Sequence, residues 1–361
     1  MGGAPRMSRI ALACTGLGYV PRGFERYTRE LFDTVRDDVD VTLYAARSHG
    51  PREVAIRVPH RDGLLARVGD ERAYHLEVAA FAGRLALRLR RDGIGVVHYS
   101  EPYLGNVLAA LRRRLRLDVQ LLLTDGLGLT PASAARADRL HVLTPHAHAA
   151  AIAGGRGADA LFEIPYGLNV GAFHATHEQA ASRSRLGLPI DGRIVVDVAA
   201  VNARHKRIDV LIDEAARLPA EWTLVVVGAP EEPELLARGR AALGDRFVHV
   251  RLAREEMVHA YAAADVFAHA AREEGFGLGI VEAMAAGLPV VVNRSDHFAW
   301  LIGDESQLVD VDEPGAIAAG IVAAHADAAA RNRARAETFD WNVLAPRYVE
   351  MYRRAQLGTR P

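Results

Sequence analysis

The residues best suited to chemistry lie between Glu273 and Val292, where the chain reads EEGFGLGIVEAMAAGLPVVV. Gly275, Gly277 and Gly279 alternate with Phe276 and Leu278 directly after Glu274. Glycines at this spacing let the backbone approach a ligand closely and admit positive φ. A helix beginning near Leu278 would offer its first-turn amides and positive dipole end to a diphosphate. Glu282 falls about one turn inside that helix, where a carboxylate can accept hydrogen bonds from both hydroxyls of a ribose. Glu274, held ahead of the helix, would face whatever lies beyond the diphosphate. A glycine-rich turn alone is weak evidence. Two carboxylates bracketing it, with a small-residue helix and a Pro-Val-Val-Val strand behind, make a bare tight turn the poorer account.

Lys206, in the stretch HKRID, is the second candidate. A compact ammonium at a strand–helix junction can neutralise a departing diphosphate, whereas an idle surface lysine there would oppose the helix dipole. Other patterns carry less. TGLGYVPRG fails as a dinucleotide fingerprint, because Pro21 stands where the third glycine belongs and the second strand ends at Arg47 without an acid. Asp38 with Asp40, and Asp310 with Asp312, have a D-x-D spacing but read as solvated carboxylates in turns. His146 and His148 point apart on a helix start and have no third ligand. No metal is expected.

These residues need a scaffold that brings strand ends together. The N-terminal half alternates apolar runs at Ile10–Cys14, Val41–Tyr44, Val96–Tyr99 and Val119–Leu123 with helical periodicity over Phe24–Val35, Glu71–Arg90, Leu104–Arg116 and Pro145–Ala153. The second half predicts strands at Ile194–Ala199, Thr223–Val227, Phe247–Val250, Val266–His269, Pro289–Val292 and Leu308–Val311. Helices are predicted between them near Arg207–Leu218, Glu231–Leu243, Glu255–Ala263, Gly279–Ala286 and Glu313–Ala328. Such alternation gives parallel sheets covered on both faces. The 361 residues exceed what one core usually holds, so two doubly wound Rossmann-like α/β domains are expected. Their boundary is expected between Tyr166 and Pro189, and ligands at the carboxyl ends of the strands, in a cleft between the domains. The segment from Trp341 reads as one more helix.

Composition bounds the partners. Lys+Arg at 44 against Asp+Glu at 45 leaves a net charge of −1, which argues against nucleic acid. Cys14 is the single cysteine, so no intrachain disulfide can form. No apolar run approaches the ~18–20 residues needed to cross a bilayer, and Ile10–Cys14 is too short for a signal-peptide core. A cytoplasmic protein is expected. Arg88, Arg90 and Arg91, with Arg112, Arg113, Arg114 and Arg116, read as two solvated helix ends. Peripheral docking on an anionic inner membrane face is the sharper alternative for them.

The Glu274-to-Glu282 segment resembles the E-x7-E signature of family 4 glycosyltransferases, which have the GT-B fold, and further segments match that family in order. GLGYVPRGFER resembles its first glycine loop, IPYGLNV its interdomain turn with Tyr166 in place of Asn, and HKRID its lysine loop. FDWNVLAPRYVEMY resembles the C-terminal helix that crosses back to the first domain. The resemblance implies a first domain over 1–168 on the acceptor side, a donor domain over 169–340 and a returning helix over 341–361. It implies transfer of a sugar from a nucleoside-diphosphate sugar to a hydroxyl acceptor, with retention and without a metal or other cofactor. The acceptor class stays open among saccharide, lipid-linked and small-molecule hydroxyls.

By the same resemblance, donor binding falls to Gly16, Gly18, Arg204, Lys206, Glu274, Gly275, Phe276, Gly277, Leu278 and Glu282. Catalysis falls to Glu274 and Lys206 with a first-domain group, for which His98 and Asp125 are the candidates. Two departures stand out: Val201 occupies the position of the family arginine, with Arg204 or Arg207 as substitutes, and Trp300 that of a family glutamate. The alternatives are a nucleotide-sugar epimerase of the same fold and a non-catalytic sugar-nucleotide-binding subunit.

Overall fold

A computed structural model describes residues 9–20, 23–47, 50–126, 134, 136–174, 178–325 and 327–357. The chain forms two compact units, Met1–Gly167 with Leu344–Pro361, and Leu168–Val343.

In the first unit, strands β1 (Arg9–Cys14), β2 (Val41–Ala45), β3 (Glu53–Ala55), β4 (Ile94–Tyr99), β5 (Gln120–Asp125), β6 (Arg139–Val142) and β7 (Leu161–Glu163) form a parallel sheet. Its order is β3-β2-β1-β4-β5-β6-β7. Every residue of β4 is buried, as its near-continuous apolar reading IGVVHY requires of a strand covered on both faces. Helices α1 (Gly23–Val35), α2 (Asp70–Arg91), α3 (Pro102–Leu115) and α4 (Pro145–Ala153) pack around it. On α1 the buried Tyr27, Thr28, Leu31, Phe32 and Val35 recur at helical spacing and so turn one face to the sheet. Arg88, Arg90 and Arg91 close α2, and Arg112, Arg113 and Arg114 close α3, where the helix dipole favours cations.

The second unit holds β8 (Arg193–Val198), β9 (Trp222–Val227), β10 (Phe247–Val250), β11 (Val266–Ala268), β12 (Val290–Asn293) and β13 (Leu308–Val309), ordered β10-β9-β8-β11-β12-β13 and again parallel. The connecting helices are α5 (Gln179–Arg185), α6 (Ile208–Ala215), α7 (Pro233–Leu243), α8 (Met257–Ala263), α9 (Leu278–Ala286), α10 (Asp296–Ile302), α11 (Ala316–Ala323) and α12 (Ala328–Glu337). Their core is built on Val195, Leu211, Trp222, Leu224, Phe247 and Ile317. Helix α13 (Trp341–Leu357) follows, and from Leu344 onward it belongs to the first unit. There Leu344, Tyr348, Met351, Tyr352 and Ala355 are buried along one face.

Several expected elements differ. Strands β3, β6 and β7 run only three or four residues, too short for a periodic signal. The helix expected over Glu313–Ala328 is shorter, because Ala324 takes extended backbone after α11, and α12, which begins at Ala328, was not expected. Helix α10 was not expected. It is a seven-residue helix of about two turns, capped by the Ser295 side chain and closed by Gly303 at φ 73°. Among the described residues no helix is long and apolar enough to cross a membrane.

Candidate functional site

In the second unit the strand order runs outward in both directions from the neighbouring pair β8 and β11. Their loops therefore leave on opposite faces of the sheet and open a crevice at the carboxyl ends, where α/β sheets bind ligands. Lys206 lies on the loop after β8 and Glu274 on the loop after β11. Asn202 shapes the first loop: its Oδ1 accepts from the backbone N–H of His205 at 3.0 Å and of Lys206 at 2.9 Å, and its Nδ2 donates to Glu231 at 2.8 Å. Arg207 then takes the left-handed region at φ 53° just before α6. Its guanidinium reaches Asp312 Oδ1 at 2.8 Å and the Ala270 carbonyl at 3.3 Å, which ties the two loops together. Arg204 is exposed.

Glu274 Oε1 accepts from Lys206 Nζ and, at 2.7 Å, from His269 Nε2. The other ring nitrogen of His269 donates to Asp197 Oδ1 at 2.9 Å. Asp197 sits in β8 and is fully buried, with its Oδ2 lacking any partner. A row of alternating charge results: Asp197, His269, Glu274, Lys206. Burial drags the His269 pKa down, but the charge and hydrogen bond of Asp197, joined by Glu274, lift it to about 9. Burial would raise the Glu274 pKa, yet hydrogen bonds and charges from His269 and Lys206 bring it to about 2. Glu274 is thus a fixed carboxylate, an acceptor only, with its side chain 15% exposed.

Gly275, Phe276 and Gly277 lead from Glu274 into α9, whose first residue is Leu278. Gly277 has φ 98°, a conformation an L side chain rarely adopts, and no side chain caps the helix. Ile280 N donates to the Gly277 carbonyl at 3.0 Å, so the amides of Leu278 and Gly279 are the ones left for a ligand. Phe276 is a buried anchor, edge-on to Trp300 and Phe339, so Trp300 contributes to packing here. Glu282 is 3% exposed on α9 and accepts from the Tyr261 hydroxyl at 2.7 Å.

The first-unit candidates take different positions. Gly16 and Gly18 lie in the turn after β1, with Gly16 O accepting from Val20 N at 2.9 Å and Gly18 at φ 91°. His98 is the next-to-last residue of β4 and is fully buried, with Nδ1 2.7 Å from the Tyr352 hydroxyl and Nε2 2.6 Å from Thr124 Oγ1. Burial and the neighbouring His141 push its pKa well down, so the ring is neutral. Both ring nitrogens are taken, leaving none for an acceptor in this arrangement. Asp125 ends β5, 7% exposed, and lines a first-unit cavity of about 430 Å³ with Leu140, Ala147 and Arg156. Tyr166 is buried against Tyr27 at a ring separation of 4.1 Å. Pro21 lies outside the described residues.

Sequence reasoning missed Asp197, His269, Asn202 and Tyr261. The available signal was a charged or ionisable residue inside an apolar strand run, IVVDV and VFAHAA, since such a residue is rarely buried without a partner.

Residues 192–327 match the family model for glycosyl transferases group 1, a span that contains Asp197, Lys206, His269, Glu274 and Glu282. A D-inositol 3-phosphate glycosyltransferase of Xylanimonas cellulosilytica is 33% identical over 223 residues, covering 56% of this chain and 53% of that protein. A phosphatidyl-myo-inositol mannosyltransferase of Mycolicibacterium smegmatis is 31% identical over 212 residues, covering 54% and 52%. The chain thus spans about half the length of the curated relatives it matches. Among solved structures, the sucrose-phosphate synthase of Thermosynechococcus elongatus superposes with a TM-score of 0.79 at 22% identity, over 96% of this chain and 98% of the other. Anabaena HepE in complex with UDP-glucose gives 0.76 at 18%, over 95% and 99%. The shared architecture is the GT-B fold of two Rossmann-like units.

Proposed function

We propose, from the match of residues 192–327 to the glycosyl transferases group 1 model, that the protein is a glycosyltransferase using a nucleoside-diphosphate sugar. The observation that carries this reading is the Lys206–Glu274 ion pair, set at the carboxyl ends of adjacent parallel strands beside an uncapped helix start. In transfer, the bond from the anomeric carbon to the diphosphate oxygen breaks and its electron pair leaves with the diphosphate. The acceptor hydroxyl oxygen forms the new bond and gives up its proton. Lys206 and the first-turn amides of α9 counter the charge growing on the diphosphate. Glu274 accepts from a sugar hydroxyl and orients the ring, and Glu282, braced by Tyr261, accepts from the ribose.

The reading includes retention of configuration, independence of a metal and a cytoplasmic location. The acceptor is a hydroxyl compound. The names of the relatives make D-inositol 3-phosphate and phosphatidyl-myo-inositol the first acceptors to test.

A thermal-shift screen across UDP-, GDP-, ADP- and dTDP-sugars identifies the donor, since a ligand at 100 times its Kd stabilises by ~2.7 kcal/mol. With that donor, Glu274→Ala and Lys206→Ala are each expected to lower kcat roughly 100-fold or more, with an unchanged circular dichroism spectrum. Wild-type turnover in both purified variants would falsify the assignment. Epimerised donor in the absence of acceptor identifies an epimerase instead. Binding without transfer or hydrolysis identifies a non-catalytic subunit, the outcome to which Val201 in place of the family arginine lends weight.

A further inference from the structure

Two cations converge on one oxygen of Glu274, which is more than a single carboxylate needs. Lys206 Nζ and His269 Nε2 both donate to Oε1, and every hydrogen bond that Glu274 makes among the described residues is to that atom. Oε2 makes none there. The His269 ring is 4% exposed and lies between two groups that only accept, Asp197 Oδ1 at 2.9 Å and Glu274 Oε1 at 2.7 Å. A ring that donates from both nitrogens is an imidazolium. Asp197 has no other partner for its charge, because its Oδ2 is buried and unbonded.

We propose that the Asp197–His269 pair is a positioning device for sugar transfer: it holds Glu274 ionised and aimed through Oε1, so that Lys206 is free to turn to the donor diphosphate while Oε2 takes a sugar hydroxyl. This rests on the transferase reading for its consequence but not for its geometry. A carboxylate held by Lys206 alone would lose its counter-charge at the moment the lysine engages the leaving group. With a buried imidazolium on the same oxygen, the carboxylate keeps its charge and direction throughout. Asp197 in turn keeps the ring charged, as a carboxylate behind a histidine does in other sites. The groups facing the ring are Asp197 from β8, Glu274 from its own loop and, through Glu274, Lys206 from the β8–α6 loop. Arg207 reaches only the Ala270 carbonyl and Asp312.

The test uses the full chain with ¹⁵N-labelled histidine, in which imidazole resonances report the protonation of each ring nitrogen directly. The His269 signals are identified by their loss in His269→Gln. The wild-type ring is expected to carry both protons at pH 8 and to titrate near pH 9. Asp197→Asn, nearly isosteric, should lower that midpoint by at least one pH unit, and Lys206→Gln should leave the ring charged at pH 8. Should Asp197→Asn fail to fold, Glu274→Gln gives the same reading, with the midpoint again lowered.

In the transfer assay, Asp197→Asn should lose at least 10-fold in kcat at pH 8.5 and recover toward the wild-type value at pH 6, where the ring recharges. A neutral ring at pH 8 in the wild type overturns the proposal, as does a pH-independent loss of activity in Asp197→Asn. If the wild type binds and transfers no nucleotide sugar, the transferase reading is what fails, and the resonance titration still decides whether the charged ring holds Glu274.

Discussion

At the scale of single residues, the second unit concentrates its charge chemistry in four side chains, Asp197, His269, Glu274 and Lys206, and two of them have displaced pKa values. His269 titrates at about 9 when folded against an ordinary 6.5, and Glu274 at about 2 against 4.5. A raised folded pKa contributes stability that is complete below the unfolded value and lost as the pH climbs through the folded one. For His269 that window runs from 6.5 to about 9. The depressed Glu274 works the other way, contributing above 4.5 and losing it as the pH falls through about 2. Calorimetry should therefore show the second unit losing at most ~3 kcal/mol between pH 6.5 and 9.5 on account of His269. Asp197→Asn should flatten that alkaline limb, and a limb of equal depth in the variant would exclude His269 as its source. Glu274 and Lys206 were legible beforehand because they sit beside glycines and a strand–helix junction. His269 was not, because an imidazole at a strand end is ordinary until the strand beside it presents a carboxylate.

At the scale of elements, the start of α9 depends on backbone conformation. Gly277 at φ 98° makes the turn from the Glu274 loop into the helix, whose start no side chain caps. Gly277→Ala forces an L residue into that region and is expected to cost ~1–2 kcal/mol, read as a lower midpoint in urea with the same slope. Nucleotide affinity should fall more steeply than stability, because the displaced amides are the ones proposed to bind the diphosphate. Equal affinity in the variant would remove those amides from the binding model. Strands and helices with long apolar periods were readable from the chain, as β8, β9 and α9 illustrate. Those that were not, such as β3, β7 and α10, are short, and depend on their neighbours in the sheet or on a local serine cap together with burial of their few apolar side chains. The end of α11 has the same character: alanines on both sides of it favour helix, yet Ala324 takes extended backbone.

At the scale of the whole molecule, the last helix completes the core of the first unit. Tyr348 and Tyr352 are fully buried there, bonded to the Pro165 carbonyl at 2.8 Å and to His98 Nδ1 at 2.7 Å. Removing residues 344–361 would uncover those rings' cavities and strand the buried His98. The first unit is expected to lose cooperative unfolding in the truncated chain, and Tyr352→Phe, which removes only the hydroxyl, to destabilise it by ~1–3 kcal/mol. A truncated chain that melts like the full one would show that the helix adds nothing to that core. The alternation of apolar strands with amphipathic helices, and the carboxylates bracketing a glycine turn, are local properties of the chain, so the sequence by itself determined the class of fold and the place of the glycine turn proposed to bind the diphosphate. Contacts between residues far apart in the chain have no local signature. Only the tertiary structure decided that His98 is held within a buried polar core, and that Asp197 and His269 stand behind Glu274, because parallel pairing of β8 with β11 is what sets those side chains within hydrogen-bonding reach.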